Sequence, residues 1–166
     1  MNIVLIGMPG CGKSTIGVLL AKALLMDFVD CDLIIQRKQN KGLNDIININ
    51  GLEGFKKIEN NILSAITCEN SIIATGGSAV YGKEAMENLK KNSRTVYIKL
   101  SPEEIEGRIN NITTRGIAMK EGWAIKDLYE ERAPLYEKYA DIIVDCTANT
   151  VEQSVKAVID ALISKK

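Results

Sequence analysis

The sequence predicts an α/β fold in which a five-stranded parallel sheet lies between two layers of helices. Short runs rich in β-branched residues alternate with segments of helical periodicity, and several of these runs are apolar throughout. Such alternation is typical of a parallel sheet, and continuous apolar strands are typical of a sheet covered on both faces. The predicted strands are residues 2–6, 27–31, 71–75, 95–100 and 141–146. The predicted helices are residues 13–25, 54–66, 83–92, 102–111, 125–139 and 151–164.

Apolar periodicity and helix-start residues support the predicted helices. Two segments of the chain show no such pattern. Helix 13–25 places Ile16, Leu20 and Leu24 on one face, at helical spacing. Ser101 before Pro102 is typical of a helix start. Residues 40–52 and 110–123 show no clear periodicity, and we interpret them as binding loops or a lid.

Composition bounds the possible functions. The chain has 166 residues, which is suitable for one domain over residues 1–166. Lys plus Arg and Asp plus Glu both total 21, so we expect neither nucleic acid nor a membrane surface as a partner. There is no histidine, so acid–base chemistry falls to Asp, Glu, Lys or water. Four scattered cysteines match no zinc pattern and predict a reducing, cytoplasmic setting.

The stretch GMPGCGKST at residues 7–15 indicates nucleotide binding. It fits the pattern G-x-x-x-x-G-K-[ST] between a predicted strand and a predicted helix. The glycines let backbone N–H groups cradle phosphate oxygens. Lys13 is suited to the β- and γ-phosphates of ATP, and Ser14 is suited to Mg²⁺.

Further polar groups follow the next two predicted strands. Asp30 and Asp32 come at the end of the second strand, where two residues two positions apart would face the same way. One could hold Mg²⁺ through water while the other accepts a proton from a hydroxyl; ordinary turn and cap residues are the alternative. Gly76 and Gly77 follow the third strand and permit close approach to the backbone, as a simple turn also would.

Together these motifs resemble the shikimate kinase family, which has a nucleoside monophosphate kinase-like P-loop fold. The similar stretches are GMPGCGKSTIG, F-x-D-x-D-x-x-I at 28–35, GFKKIE at 54–59, GGSAV at 76–80 and R-x-P-x-Y at 132–136. The resemblance implies a three-layer P-loop kinase fold with a helical substrate-binding region at about residues 32–62 and a lid at about 110–123. It implies a kinase that uses ATP and Mg²⁺ to phosphorylate the 3-hydroxyl of shikimate, a step toward aromatic amino acids. We expect the chain to act as a monomer.

The resemblance also implies roles for individual residues. Lys13, Asp32 and Arg115 would be catalytic. The implied ATP-binding residues are Gly10, Cys11, Gly12, Lys13, Ser14, Thr15, Arg108 and Arg115. The implied substrate-binding residues are Asp32, Lys56, Gly77 and Arg132. Ser14 and Asp30, the latter through water, would hold Mg²⁺.

Three positions depart from the family pattern. Lys56 stands where the family has arginine, Ser78 replaces a third glycine, and Gly116 replaces a lid proline. Lysine lacks the planar fork that binds a carboxylate through two parallel bonds, and glycine would loosen the lid. These departures leave two alternatives open: a kinase of another small hydroxylated acid, and a non-catalytic nucleotide-binding protein.

Overall fold

The computed structural model describes residues 1–110 and 116–164, and the following elements lie within them. The strands are β1 (Asn2–Ile6), β2 (Asp27–Asp30), β3 (Ser71–Ala74), β4 (Ser93–Lys99) and β5 (Ile142–Asp145). The helices are α1 (Lys13–Leu24), α2 (Cys31–Gln39), α3 (Leu43–Leu63), α4 (Lys83–Lys90), α5 (Pro102–Asn110), α6 (Ile125–Tyr139) and α7 (Val151–Ser164), with a 3₁₀ helix at Ala79–Tyr81.

The five strands form one parallel sheet in the order β2-β3-β1-β4-β5. Every residue of β1 and β3 is buried, which explains why both strands are apolar without alternation. The outer strands β2 and β5 have exposed or half-buried residues, as edges do. The structure therefore confirms the predicted α/β fold with a five-stranded parallel sheet.

Helices cover both faces of this sheet. Helices α1 and α7 pack against each other beside β3 and β5, whereas α3 packs on α4, and α4 and α6 pack on β4. This division follows from right-handed crossovers, because β1 to β2 and β3 to β4 run in opposite directions across the sheet. Within the described part of the chain, no helix is both long and apolar enough to cross a membrane.

The end of β2 differs from the prediction. The strand stops at Asp30, and α2 begins at Cys31, so Asp30 and Asp32 do not face the same way along one strand. Asp30 instead caps α2, because its Oδ1 accepts hydrogen bonds from the backbone N–H groups of Asp32 (3.0 Å) and Leu33 (3.3 Å). The cap interpretation is therefore correct for Asp30, and helix α2, which periodicity did not predict, lies in the region that the resemblance implies to be helical.

Residues 40–52 were also interpreted wrongly as largely irregular. Helix α3 begins at Leu43 and passes through a kink at Gly51, where φ is 68° and ψ is 174°. The segment before the kink is rich in asparagine, which has modest helix propensity. Burial of Leu43 and Ile46 against the core overrides that weak local preference. The other predicted element ends agree with the structure or differ from it by at most three residues.

Two helical glycines test the packing of the helix layers. A Cβ on Gly17 of α1 would lie 2.6 Å from the Phe28 ring, whereas a Cβ on Gly107 of α5 would meet no atom of the described residues within 4 Å. We expect Gly17→Ala to lower the free energy of unfolding by about 1–3 kcal/mol through overpacking. We expect Gly107→Ala to raise it by up to about 1 kcal/mol through helix propensity. Urea unfolding of both variants checks this, and equal effects of the same sign would contradict the packing described.

Candidate active site

The loop between β1 and α1 has the backbone conformation required for binding phosphate. Gly10 and Gly12 have φ of 79° and 93°, which glycine adopts without strain. Lys13 is buried at the start of α1, and its Nζ donates to the carbonyl oxygens of Gly7 and Met8, both at 2.8 Å. The ammonium group thus lies inside the loop, next to a helix N-terminus that favours anions.

This loop opens into the crevice of the sheet. Strands β1 and β3 are neighbours, and the chain leaves them toward opposite faces, through α1 and α4. Thr75, directly after β3, joins the two strand ends because its N–H (3.2 Å) and hydroxyl (2.9 Å) both donate to the carbonyl of Leu5. Ligands of open parallel sheets bind at this kind of switch point.

Ser14 and Asp30 form a pair of oxygen ligands beside the loop. The Ser14 hydroxyl donates to Asp30 Oδ2 at 2.8 Å. A hydroxyl and a carboxylate are the hard donors that Mg²⁺ takes, usually with water and substrate phosphates completing its shell. No group of three or more Cys, Asp or Glu side chains that could hold a metal ion occurs among the described residues. The pair fits Mg²⁺ bound jointly with a nucleotide.

A pocket of about 40 Å³ lies beyond the phosphate loop. Residues 116–118, which we call the strap, form one of its walls. This volume is far below the roughly 300 Å³ of the smaller small-molecule sites, so the strap narrows the pocket in this conformation. The lining residues are Pro9, Gly10, Gly12, Lys13, Ser14, Asp32, Leu43, Phe55, Thr75, Gly76, Gly77, Ser78, Gly116, Ile117, Ala118 and Arg132.

Two carboxylates meet at Gly76. A Cβ there would lie 2.6 Å from Glu59 Oε1 and 2.8 Å from Asp32 Oδ1, so only glycine leaves room for both groups. Glu59 is buried, and the Ser78 hydroxyl donates to its Oε2 at 2.5 Å. Burial raises the pKa of Glu59 to about 7, against the opposing effect of that hydrogen bond. Ser78 therefore orders Glu59 at the edge of the pocket.

Arg132 supplies positive charge to the pocket from α6. Its side chain is only 1% exposed, although burial of a charge is costly without a partner. Its Nε donates to the Tyr81 hydroxyl at 3.2 Å, and its Nη2 donates to the carbonyl oxygen of Ala118 in the strap. Among the described residues, no carboxylate lies within ion-pair distance of Arg132.

Gly77 lies between the phosphate loop and α6. A Cβ there would lie 2.7 Å from Pro9 Cδ and 3.1 Å from Arg132 Nη1. The Tyr136 hydroxyl donates to the Gly77 carbonyl at 2.6 Å, which fixes the loop after β3 relative to α6. The structure therefore brings Asp32, Gly77 and Arg132 together with Lys13 and Ser14 around one pocket.

Lys56 does not line this pocket. Its Nζ lies 2.9 Å from Glu53 Oε1 and 4.1 Å from the centre of the Tyr81 ring. Its side chain is 18% exposed. Lys56 contacts Tyr81, and Tyr81 in turn contacts Arg132, which lines the pocket.

Gly116 lets the strap lie directly against the start of α3. A Cβ on Gly116 would lie 2.7 Å from Asn44 Oδ1 and 2.9 Å from Asn44 N. A residue with a Cβ would therefore push the strap away from α3. Close packing against Asn44 therefore also explains a glycine at position 116, in addition to the conformational freedom that glycine brings to a lid.

Arg108 crosses the outer side of the phosphate loop. Its Nη1 would lie 3.7 Å from a Cβ on Gly12, and its Nη2 is paired with Glu104 Oε1 at 2.6 Å. Cys11, in the same loop, is 1% exposed. Thr15 is in the first turn of α1. Arg115, which we predicted to be a lid residue, lies outside the described residues.

Tyr81 and Glu131 were not predicted from the sequence to belong to the site. Tyr81 ends the 3₁₀ helix, and its hydroxyl donates to Glu131 Oε1. No motif signals Tyr81, because its partners Glu131 and Arg132 lie about 50 residues away in the chain. Glu131 directly precedes Arg132 and could be found only by considering the exposed side of α6.

Comparisons with known proteins agree with this site. The profile of the family described as shikimate kinase matches residues 9–163. A shikimate kinase of Francisella tularensis subsp. holarctica is 35% identical, over 99% of this chain and 96% of that protein. One of Vibrio parahaemolyticus is 36% identical, over 98% and 94%. The structure of shikimate kinase from Acinetobacter baumannii in complex with shikimate matches with a TM-score of 0.90 and 28% identity, covering 99% of this chain and 94% of that one.

The fold, the phosphate loop and the full-length similarity lead to one family. The profile match spans far more than half of the chain, and the curated relatives exceed 30% identity over nearly the whole length. The chain belongs to the shikimate kinase family, whose members are phosphotransferases.

Proposed function

We propose that the chain transfers the γ-phosphoryl group of ATP to the 3-hydroxyl of shikimate, giving shikimate 3-phosphate and ADP for aromatic amino acid biosynthesis. The observation that carries the proposal is Arg132, a buried cation in the pocket whose hydrogen-bond partners are neutral oxygens. A substrate carboxylate would supply the missing negative charge. The similar protein from Acinetobacter baumannii was solved with shikimate, a hydroxylated ring acid that has such a carboxylate.

The phosphate loop would bind ATP. Backbone N–H groups from Gly10 to Thr15 would surround the phosphates, with Cys11, Gly12 and Ser14 among them. Lys13 would exchange its two carbonyl partners for phosphate oxygens and stabilise the phosphoryl group during transfer. Arg108, on the outer side of the loop, would lie against adenine, and Arg115 would reach the phosphates.

Ser14 and Asp30 would hold Mg²⁺, Asp30 through water. Their existing hydrogen bond places a hydroxyl and a carboxylate together at the loop. When bound, Mg²⁺ would neutralise charge on the β- and γ-phosphates.

Asp32, Gly77, Lys56 and Arg132 would bind the acceptor. Asp32 would accept the proton of the 3-hydroxyl as its oxygen attacks the γ-phosphorus. The Gly77 N–H would hold a ring hydroxyl, while Arg132 would bind the carboxylate and Lys56 would add a second positive charge. This division is supported by the position of Asp32 and Arg132 on the wall of one pocket.

We also propose that the protein acts as a monomer and that it works in the cytoplasm. Its molar mass in solution would test the first of these two proposals. The four cysteines are free thiols, which suits a reducing compartment.

The activity is tested by ADP release from Mg-ATP. We expect purified protein to release ADP at least about tenfold faster with shikimate than without it, because proton acceptance by Asp32 requires a bound hydroxyl. A panel of other hydroxylated acids and sugars serves as the control. Strong stimulation by another acceptor, with none by shikimate, would contradict the proposal. ATP binding without stimulation by any acceptor would favour a non-catalytic role.

The role of Asp32 is tested by Asp32→Asn. The amide keeps the shape of the side chain but does not accept the proton, so we expect kcat to fall by about 10²-fold or more. The matched control is Asp45→Asn in the first turn of α3, an exposed carboxylate near the same crevice, which should leave kcat within about twofold. Equal kcat values for Asp32→Asn and the wild-type protein would exclude Asp32 as the base.

A further inference from the structure

Tyr81 joins the two cations that flank the acceptor side of the site. Its hydroxyl accepts the Arg132 Nε–H at 3.2 Å. Its ring lies under the Lys56 ammonium, with 4.1 Å from Nζ to the ring centre, and 5.2 Å from the Arg132 Cζ. Lys56 and Arg132 come from different helices, α3 and α6, so this one side chain sets their relative position.

The hydroxyl of Tyr81 is polarised toward Arg132. It donates its proton to Glu131 Oε1, and Glu131 is itself paired with Lys120 at 2.9 Å. A hydroxyl that donates to a carboxylate becomes a stronger acceptor, so its bond with Arg132 is strengthened. Burial raises the pKa of Tyr81, which keeps the hydroxyl protonated and able to donate.

The ring of Tyr81 restricts Lys56. A lysine ammonium is a point charge on a flexible stem and has no fork to define its direction. Here Glu53 holds it through an ion pair at 2.9 Å, and the ring face attracts it through a cation–π contact. Lys56 is thereby kept against the same tyrosine that Arg132 contacts, although it does not line the pocket itself.

We propose that Tyr81 is a positioning residue for substrate recognition, which aims the Arg132 guanidinium at the substrate carboxylate and holds the Lys56 ammonium against its ring as a second positive charge. This proposal rests on the proposed function for the identity of the carboxylate. It goes further in assigning acid recognition to a tyrosine that touches neither the phosphate loop nor the reacting atoms.

Kinetics of Tyr81→Phe and Tyr81→Leu test the proposal. The Phe variant loses only the hydroxyl, so we expect KM for shikimate to rise about 3- to 10-fold. The Leu variant also loses the ring, so we expect a rise of about 10- to 30-fold. In both, kcat and KM for ATP should stay within about twofold of the wild-type values.

The controls are Tyr139→Phe and Tyr139→Leu, because the Lys138 Nζ lies 5.4 Å from the centre of the Tyr139 ring. These variants should leave KM for shikimate unchanged.

A neutral substrate separates positioning from general damage. With the primary amide of shikimate, whose carboxylate charge is removed, the Tyr81 variants should have the KM of the wild-type protein. An equal rise of KM for acid and amide, an unchanged KM for shikimate in Tyr81→Phe and Tyr81→Leu, or a fall in kcat alone would overturn the proposal.

A spectroscopic readout does not depend on turnover. Reductive ¹³C-methylation labels lysines, and we expect the methyl signal of Lys56 to be shifted upfield by the Tyr81 ring. The shift should persist in Tyr81→Phe and vanish in Tyr81→Leu, with Lys56→Gln identifying the signal. A Lys56 signal that is unshifted, or the same in Tyr81→Leu, would refute the positioning role.

Failure of the wild-type protein to phosphorylate shikimate would refute the proposed function instead. The Lys56 signal would still decide whether Tyr81 positions Lys56.

Discussion

The site is organised around a buried guanidinium that forms no ion pair with a carboxylate among the described residues. Arg132 on α6 is almost fully buried, and its hydrogen bonds go to a tyrosine hydroxyl and a strap carbonyl. A cation in this position is electrostatically incomplete, because neutral oxygens only partly replace the water that burial removes. The loop after β3, the strap and α6 converge on this group, so its position constrains all three.

The crevice therefore has two places that favour negative charge. The first is formed by Lys13 and the N-terminus of α1, which favour phosphate. In the structure, the Lys13 ammonium donates to two carbonyl oxygens of the loop. At the other, Arg132 binds the carbonyl of Ala118. In each case the cation binds a backbone carbonyl, and under the proposed function a substrate anion would replace it. Asp32 lies on the wall of the same pocket, where a hydroxyl between the two anionic groups would meet it.

Local sequence patterns predicted the parts of the fold that depend on local physics. The buried strand β1 is apolar because helices cover both of its sides, and the phosphate loop needs Gly10, Gly12 and Lys13 in sequence. Periodicity did not predict helix α2 or the first half of α3, although both lie in the region that the resemblance implies to be helical. Asp30 ends a strand and caps a helix at once, and Ile46 stabilises an asparagine-rich helix only through tertiary burial.

The remaining contacts of the site could not be predicted because they join distant parts of the chain. Ser78 reaches Glu59, and Tyr81 reaches Arg132 across 51 positions. The three departures from the family pattern each find a partner in this way. Ser78 bonds Glu59, Lys56 is held by Glu53 and Tyr81, and Gly116 packs on α3. Each of the three residues that depart from the family pattern therefore has specific contacts with neighbouring residues.

Calorimetric titration of the wild-type protein with shikimate and with its primary amide tests whether Arg132 binds the substrate carboxylate. The two ligands have the same ring and hydroxyls, and only the acid can complete the charge of Arg132. A charge-assisted pair with a buried guanidinium predicts that the acid binds at least about tenfold more tightly than the amide. Equal affinities would contradict the account, because they would mean that Arg132 does not meet the carboxylate of the substrate.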